Sequence, residues 1–216
     1  LEPNFVRPLN ENDRASDMFN FSEAWAEAEK GRTVEAITTE KLVDGMARIN
    51  VTGTLGNGVP YAIGYVVYGN GDVTVENQLM PNDTFDLIPL IGTTMKVPAN
   101  LNNVTYFGRG PQENYLDRNT GAFKGIYETT ADDLYVPYET PGETGTRTGV
   151  TWVALTDDAG DGVMVSAAKD FEFSALHYTD KELNETRHSY ELQKDESITF
   201  KVNHIQQGLA GDTTWG

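Results

Sequence analysis

The chain has 216 residues, 38% of them hydrophobic, and 33 acidic against 16 basic side chains give a formal net charge of -17. That length can bury a core in one large domain or two small ones, while the charge would repel nucleic acid or an anionic membrane surface. There is no cysteine, which excludes disulfides, thiolate nucleophiles and cysteine-ligated zinc.

The opening, "LEPNFVRPLNENDRA", carries neither the basic nor the apolar region of a signal peptide. It begins at Leu1 rather than a methionine, as expected of a piece of a longer protein. No apolar run approaches the roughly 20 residues of a membrane span. After this irregular arm, "FSEAWAEAEKG" predicts a short helix, with Ser22 as N-cap and Gly31 as stop.

Strand signals then dominate. "MARINVTG" puts Ala47, Ile49 and Val51 on one face, and "DVTVENQL" does the same with Val73, Val75 and Leu79. "YGNGDV" places Asn70 and Gly71 between two strands, a hairpin signal. "ETPGETGTRTG", residues 139–149, is the loosest stretch and reads as a loop within one fold. "TDDAGDGV" predicts a second hairpin around Gly160 and Gly162, and Thr179 with Glu182 forms a T-x-x-E capping box for one late helical turn. "SITFKVNHI" alternates Ile198, Phe200 and Val202 with polar partners. Period-two alternation implies antiparallel sheets with one face buried and one wet. The expectation is an all-β fold: about a dozen short strands and two minor helices in a twisted antiparallel sandwich.

Chemistry is sparsely signalled. In "YFGRGPQENYLDR" only Gly108 and Gly110 could shape a phosphate cradle, Pro111 removes a donor and Glu113 adds a repelling charge, so a tight turn is the better reading. There Arg109, Glu113, Asp117 and Arg118 can pair locally. His177, His188 and His204 lack the spacing of a metal pair. Asp157, Asp158 and Asp161 lack the ligand order of a calcium loop. A glycosidase carboxylate pair, about 5 Å apart for retention, cannot be nominated from 33 acids, and no G-x-S-x-G elbow exists. The end, "NHIQQGLAGDTTWG", leaves a strand and enters a Gly-rich loop carrying Trp215. An indole there is either a flat platform for a pyranose ring, a contact of about 0.5–1.5 kcal/mol, or a core side chain clamping the chain end. The residues alone leave both open.

Five stretches, in order, carry a resemblance. "YFGRGPQENYLDR" resembles the G-x-G-P-x-E-N-Y-x-D-R signature of the C-terminal β-sandwich domain (small chain, domain 5) of large bacterial β-galactosidases of glycoside hydrolase family 2. "NFVRPLNENDRA" resembles that family's R-x-P-x-D-N-D opening, "YVPYETPGETGTRTGVTW" its Y-x-x-P-x-E-x-G-x-R segment, and "FEFSALHYTDKELNETRHSYEL" its F-x-F-S-A segment. "GLAGDTTWG" resembles its G-x-G-G-D-x-S-W loop, with Ala210 at a glycine position and Thr214 at a serine position.

The resemblance implies a supersandwich of two large antiparallel sheets, galactose mutarotase-like, formed by residues 1–216 as a single domain whose final strand is cut short. It implies a parent enzyme that hydrolyses terminal β-D-galactosides such as lactose with retention, in bacterial cytoplasm or periplasm. The nucleophile, the acid/base and a catalytic magnesium ion would lie on a barrel elsewhere in that enzyme. No catalytic or metal-ligating residue is expected in this chain. Trp215 matches the tryptophan that stacks on the bound sugar, so the expected partners are the barrel, the other domains of the parent and the galactoside. "YFGRGPQENYLDR" becomes a structural corner, and an exposed apolar patch is expected where the barrel docks. The alternative is an autonomous carbohydrate-binding module, although the ten tyrosines form no visible row. An aldose epimerase would rest on fold alone.

Overall fold

Eleven strands run through the described residues of this computed structural model, which are 1–81 and 87–211. They form two antiparallel sheets, one of seven strands and one of four, so the all-β class read from the alternation is what the chain adopts. Two compact units divide the chain: Leu1–Ser22 with Pro89–Gly216, and Glu23–Ile88.

In the first unit, β1 (Glu2–Asn4) precedes a one-turn helix, α1 (Glu11–Arg14). Asn10 caps α1 by a reciprocal box: its side chain accepts from the Asp13 N–H while the Asp13 carboxylate accepts from the Asn10 N–H. The expected irregular arm therefore contains an ordered turn. Helix α2 (Met18–Lys30) starts five residues before the start implied by a cap at Ser22 and stops before Gly31, as expected. Ser22 is not its N-cap. Ser16 supplies the acceptor instead, taking the Met18 N–H at 3.4 Å, and Ser22 is a buried interior residue.

The second unit builds its sheet from β2 (Thr33–Val43), β3 (Met46–Thr54), β4 (Pro60–Tyr68) and β5 (Val73–Leu79), paired in that order. The turn joining β4 to β5 holds Asn70 and Gly71, the latter at φ 96°, a left-handed conformation that suits glycine. Ile49 faces Tyr65 and Val51 faces Ile63 across β3 and β4, and Tyr65 faces Val75 across β4 and β5. The apolar residues share one face, as the alternation predicts, but that face is not buried as expected. Ile37 is 65% exposed and Val73 50%. Gly31 and Gly56 abut in this unit; a Cβ on Gly31 would lie 2.7 Å from the Gly56 Cα.

The first unit continues with β6 (Leu90–Pro98), β7 (Asn103–Gly110), β8 (Phe123–Thr130), α3 (Ala131–Leu134), β9 (Arg147–Thr156), β10 (Gly162–Leu176), α4 (Asp180–Glu185), a 3-10 turn (Ser189–Glu191) and β11 (Ser197–Gln206). Its strand order is β1-β6-β11-β10-β9-β7-β8. The hairpin between β9 and β10 turns at Gly160, φ 86°. Thr179 caps α4 as predicted, accepting from the Glu182 N–H at 3.1 Å. Glu182 does not return the bond within the box; its carboxylate accepts from the Gln193 N–H.

One face of this sheet is apolar and fully buried: Tyr106, Val153, Leu155, Phe173, Ile198 and Phe200 belong to one cluster, with Phe173 edge-on to both Tyr106 and Phe200. The other face is also buried where β10 meets β11, yet it is polar. Glu172 sits opposite Asn203 and Ser174 opposite Lys201, and all four are under 5% exposed. Segment 139–149, read as the loosest stretch, is the reverse: residues 141–148 are buried without interruption. Its Gly, Thr, Glu and Arg content mimics a surface loop, but those side chains serve an internal polar network.

Candidate functional site

The polar network starts at Arg7. Its guanidinium donates from Nε to Asp13 Oδ2 at 3.2 Å and from Nη2 to Asp13 Oδ1 at 2.8 Å, and from Nη1 to Gln206 Oε1 at 3.1 Å. Gln206 Nε2 donates to Thr146 Oγ1, which donates to Glu143 Oε1 at 2.8 Å. Three distant segments, the N-terminal arm, residues 143–146 and β11, are thereby joined. Burial alone would lower the Arg7 pKa, but the charges of Asp13 and Glu143 raise it overall. Burial pushes the Glu143 carboxyl up, against the pull of Lys201 and Arg7. Burial also lifts Glu172 to about 7, with hydrogen bonding from Gln206 opposing and the charge of Glu143 reinforcing the rise. Lys201, equally buried, pairs with Asp180 at 2.5 Å.

Glu143 borders a small void. The void bordered by Glu143, Ser174, Thr199 and Lys201 is about 10 Å³, room for one water and far below a ligand pocket.

The glycine-rich exit from β11 lies against this network. Gln207 N–H donates to Pro89 O at 2.8 Å; beyond it the backbone is held by side chains. Leu209 O accepts from Arg7 Nη2 at 3.0 Å and from Asn10 Nδ2 at 2.6 Å. Gly211 O accepts from Asn12 Nδ2 at 3.0 Å, and Ala210 N–H donates to Asp117 Oδ2 at 3.3 Å. Trp215 itself lies outside the described residues.

The "YFGRGPQENYLDR" stretch is the corner it was expected to be. Asn114 is fully buried and donates to Arg109 O and Gln112 O at 3.0 Å, while its Oδ1 accepts from the backbone and hydroxyl of Thr148. Glu113 pairs with Arg118 at 2.5 Å and accepts from Gly145 N–H at 2.8 Å; Tyr138 also donates to it. Glu113, Arg118 and Arg147 border an open depression of about 650 Å³. Arg109 donates to Ala122 O rather than to an acid, and Asp117 serves the glycine-rich exit instead of a local partner.

His177 meets Asn102 at 3.2 Å and His188 stacks on Tyr190. Among the described residues no three His, Asp or Glu side chains converge to hold a metal ion. No helix among them is long and apolar enough to cross a membrane.

The loop-holding roles of Arg7, Asn10, Asn12 and Asp117 were not legible as function in the sequence. The one local signal was the Asn10-x-x-Asp13 spacing of a capping box, which foretells the turn but not what its asparagines reach.

The described residues thus form an all-β chain whose conspicuous loops are tied to one another by side chains. The family described as beta galactosidase small chain matches residues 1–216, and the chain belongs to that family. It is 33% identical over 216 residues to a beta-galactosidase of Priestia megaterium, covering 100% of this chain and 21% of that protein. It is 33% identical over 219 residues to beta-galactosidase BgaC of Bifidobacterium adolescentis, covering 97% and 20%. A beta-galactosidase of Halalkalibacterium halodurans is 29% identical over 222 residues, covering 99% and 22%. The chain spans about a fifth of the length of these relatives.

Proposed function

We propose that this chain is the non-catalytic C-terminal domain of an enzyme that hydrolyses terminal β-D-galactosides with retention, and that it contributes Trp215 as a stacking platform for the bound sugar. The observation that carries the reading is the family match across all 216 residues against relatives about five times as long. On this reading the nucleophile, the acid/base and any magnesium ion belong to a catalytic barrel elsewhere in the parent. The exposed apolar side chains Ile37, Val67, Val73 and Val75 support a buttressing role, since a face of that kind suits coverage by another domain.

The test compares the full-length parent enzyme with its Trp215→Ala variant on an aryl β-galactoside. Loss of one aromatic stacking contact should cost about tenfold in kcat/KM. The purified 216-residue chain should not cleave the substrate. Hydrolysis by that chain alone, or saturable galactose binding by it in calorimetry, would replace the proposal with an autonomous catalytic or sugar-binding function.

A further inference from the structure

We propose that β8 is a docking edge for a second copy of this chain: two β8 strands pair antiparallel about a two-fold axis at Ile126, so that each Lys124 meets the other copy's Glu128. β8 is the last strand of the seven-stranded sheet, and the side of its backbone away from β7 has no ladder partner among the described strands. Such an edge accepts another strand unless something blunts it. The other edges are blunted or unsuited. β1 is three residues long, and the pairing of β2 with β3 slips twice, between Val34 and Ala36 and between Lys41 and Val43. β5 carries Glu76 at its midpoint, so a self-pairing centred there would oppose like charges. β8 has none of these defences: it runs for eight residues without a proline and keeps unbroken register with β7 from Phe123 to Thr130.

The strand is complementary to itself. In an antiparallel pair centred on Ile126, each position before the centre faces the position equally far after it, so Lys124 lies opposite Glu128. The two-fold axis makes that contact twice, and opposite charges directly across a pair stabilise it. Both side chains are available. Glu128 is exposed and makes no ion pair among the described residues. Lys124 donates to the two Asp170 oxygens at 2.9 and 2.7 Å, which leaves the third donor of its ammonium for another carboxylate. The apolar side chains agree. Ile126, 67% exposed, shares a cross-strand row with the half-buried Phe107 and Trp152, on the face that alternation leaves wet. Its own copy across the axis would cover it and join the two rows end to end. On the reverse face Phe123, 77% exposed, would meet Thr129 of the other copy. An identical strand necessarily presents the matching charges, which selects a second copy over an unrelated strand. One pair of short strands is small beside a standard interface of about 1,600 Å², so the association is weak and reversible.

The experiment is sedimentation of the 216-residue chain, which has its own buried core, from about 10 μM to about 1 mM. Four samples are compared: the unsubstituted chain, Lys124→Glu, Glu128→Lys, and an equimolar mixture of the two variants. The unsubstituted chain should pass from monomer to dimer as its concentration rises. Each variant alone sets like charges across both contacts and should weaken association about tenfold or more. The mixture puts Lys opposite Glu at both contacts again and should dimerise as the unsubstituted chain does. Both substituted side chains are exposed, so the variants should keep the fold, which the melting temperature of each checks. An unsubstituted chain that stays monomeric to about 1 mM overturns the proposal. So do single variants that dimerise as well as the unsubstituted chain, because the contact would then lie on another surface. A mixture that stays monomeric overturns it too, because the register about Ile126 would be wrong.

Discussion

Arg7 and Asp13, six positions apart, meet through two parallel hydrogen bonds with both side chains 1% exposed. The pair sits beneath the glycine-rich exit from β11 and ties the N-terminal arm to Gln206 on that strand. Removing one partner of a buried ion pair leaves the other charge unmatched, at a cost of about 3–5 kcal/mol. Asp13→Ala should therefore lower unfolding stability by about that much, read as a shift in urea midpoint. Replacing both residues, as Arg7→Met with Asp13→Leu, should recover most of the loss. A midpoint for Asp13→Ala within about 1 kcal/mol of the parent would mean the pair is not buried as described.

Glu172 gives the chain a pH dependence of definite sign. Its carboxyl rises from an ordinary 4.5 to about 7 on folding, mainly through burial, so between those values the folded state binds more protons than the unfolded state. The contribution of Glu172 to stability then falls as pH rises from about 4.5 to about 7, with its full cost present above that window. A shift of this size corresponds to roughly 3 kcal/mol. Glu172→Gln keeps the shape without the charge. Denaturant titrations at pH 5 and pH 8 should show the variant gaining stability relative to the parent at the higher pH; equal differences at both would refute the buried-acid reading.

The alternation of "SITFKVNHI" made β11 and its apolar face legible, because Ile198 and Phe200 follow a period of two. That same period predicted a wet opposite face, and there it misled. Lys201 and Asn203 are both buried, and for Lys201 the carboxylate of Asp180 takes the place of water. Segment 139–149 deceived for the same reason: composition reports polarity, and it does not say whether the polar partner is solvent or Gln206. The five family motifs gave the corner and the glycine-rich exit as separate features. That Asp117 of one reaches Ala210 of the other depends on a separation of 93 residues, which no local pattern encodes.

The four-stranded sheet carries a prediction of small effect. Ile37 is 65% exposed and lies opposite Val51 across β2 and β3. In the 216-residue chain, Ile37→Thr removes little buried apolar surface and keeps a β-branched residue, so stability should stay within about 0.5 kcal/mol. The same substitution in the full-length parent should cost about 1 kcal/mol or more if another domain covers that side chain. Equal small effects in both would show that Ile37 stays in water in the parent, and would remove this residue from the buttressing surface.

Gly208 is where the loop comes nearest the ion pair. Its φ is 89°, a conformation that costs a side-chain-bearing residue about 1–2 kcal/mol. A Cβ there would also stand 2.7 Å from Arg7 Nη2 and 3.0 Å from Asp13 Oδ1. Both atoms belong to a buried pair that has little room to yield, so strain and collision act together. Gly208→Ala should destabilise the chain by more than the backbone term alone, about 2–4 kcal/mol in all. Gly160→Ala is the natural control. Its φ is 86°, but nothing lies within 4 Å of its Cβ position, so it should cost only the backbone term. Measured side by side in urea, the two variants separate conformational strain from contact. Equal losses would mean that the loop can lift away from Arg7 and Asp13 without penalty, and the close packing of the glycine-rich exit on the ion pair would then contribute nothing to its position.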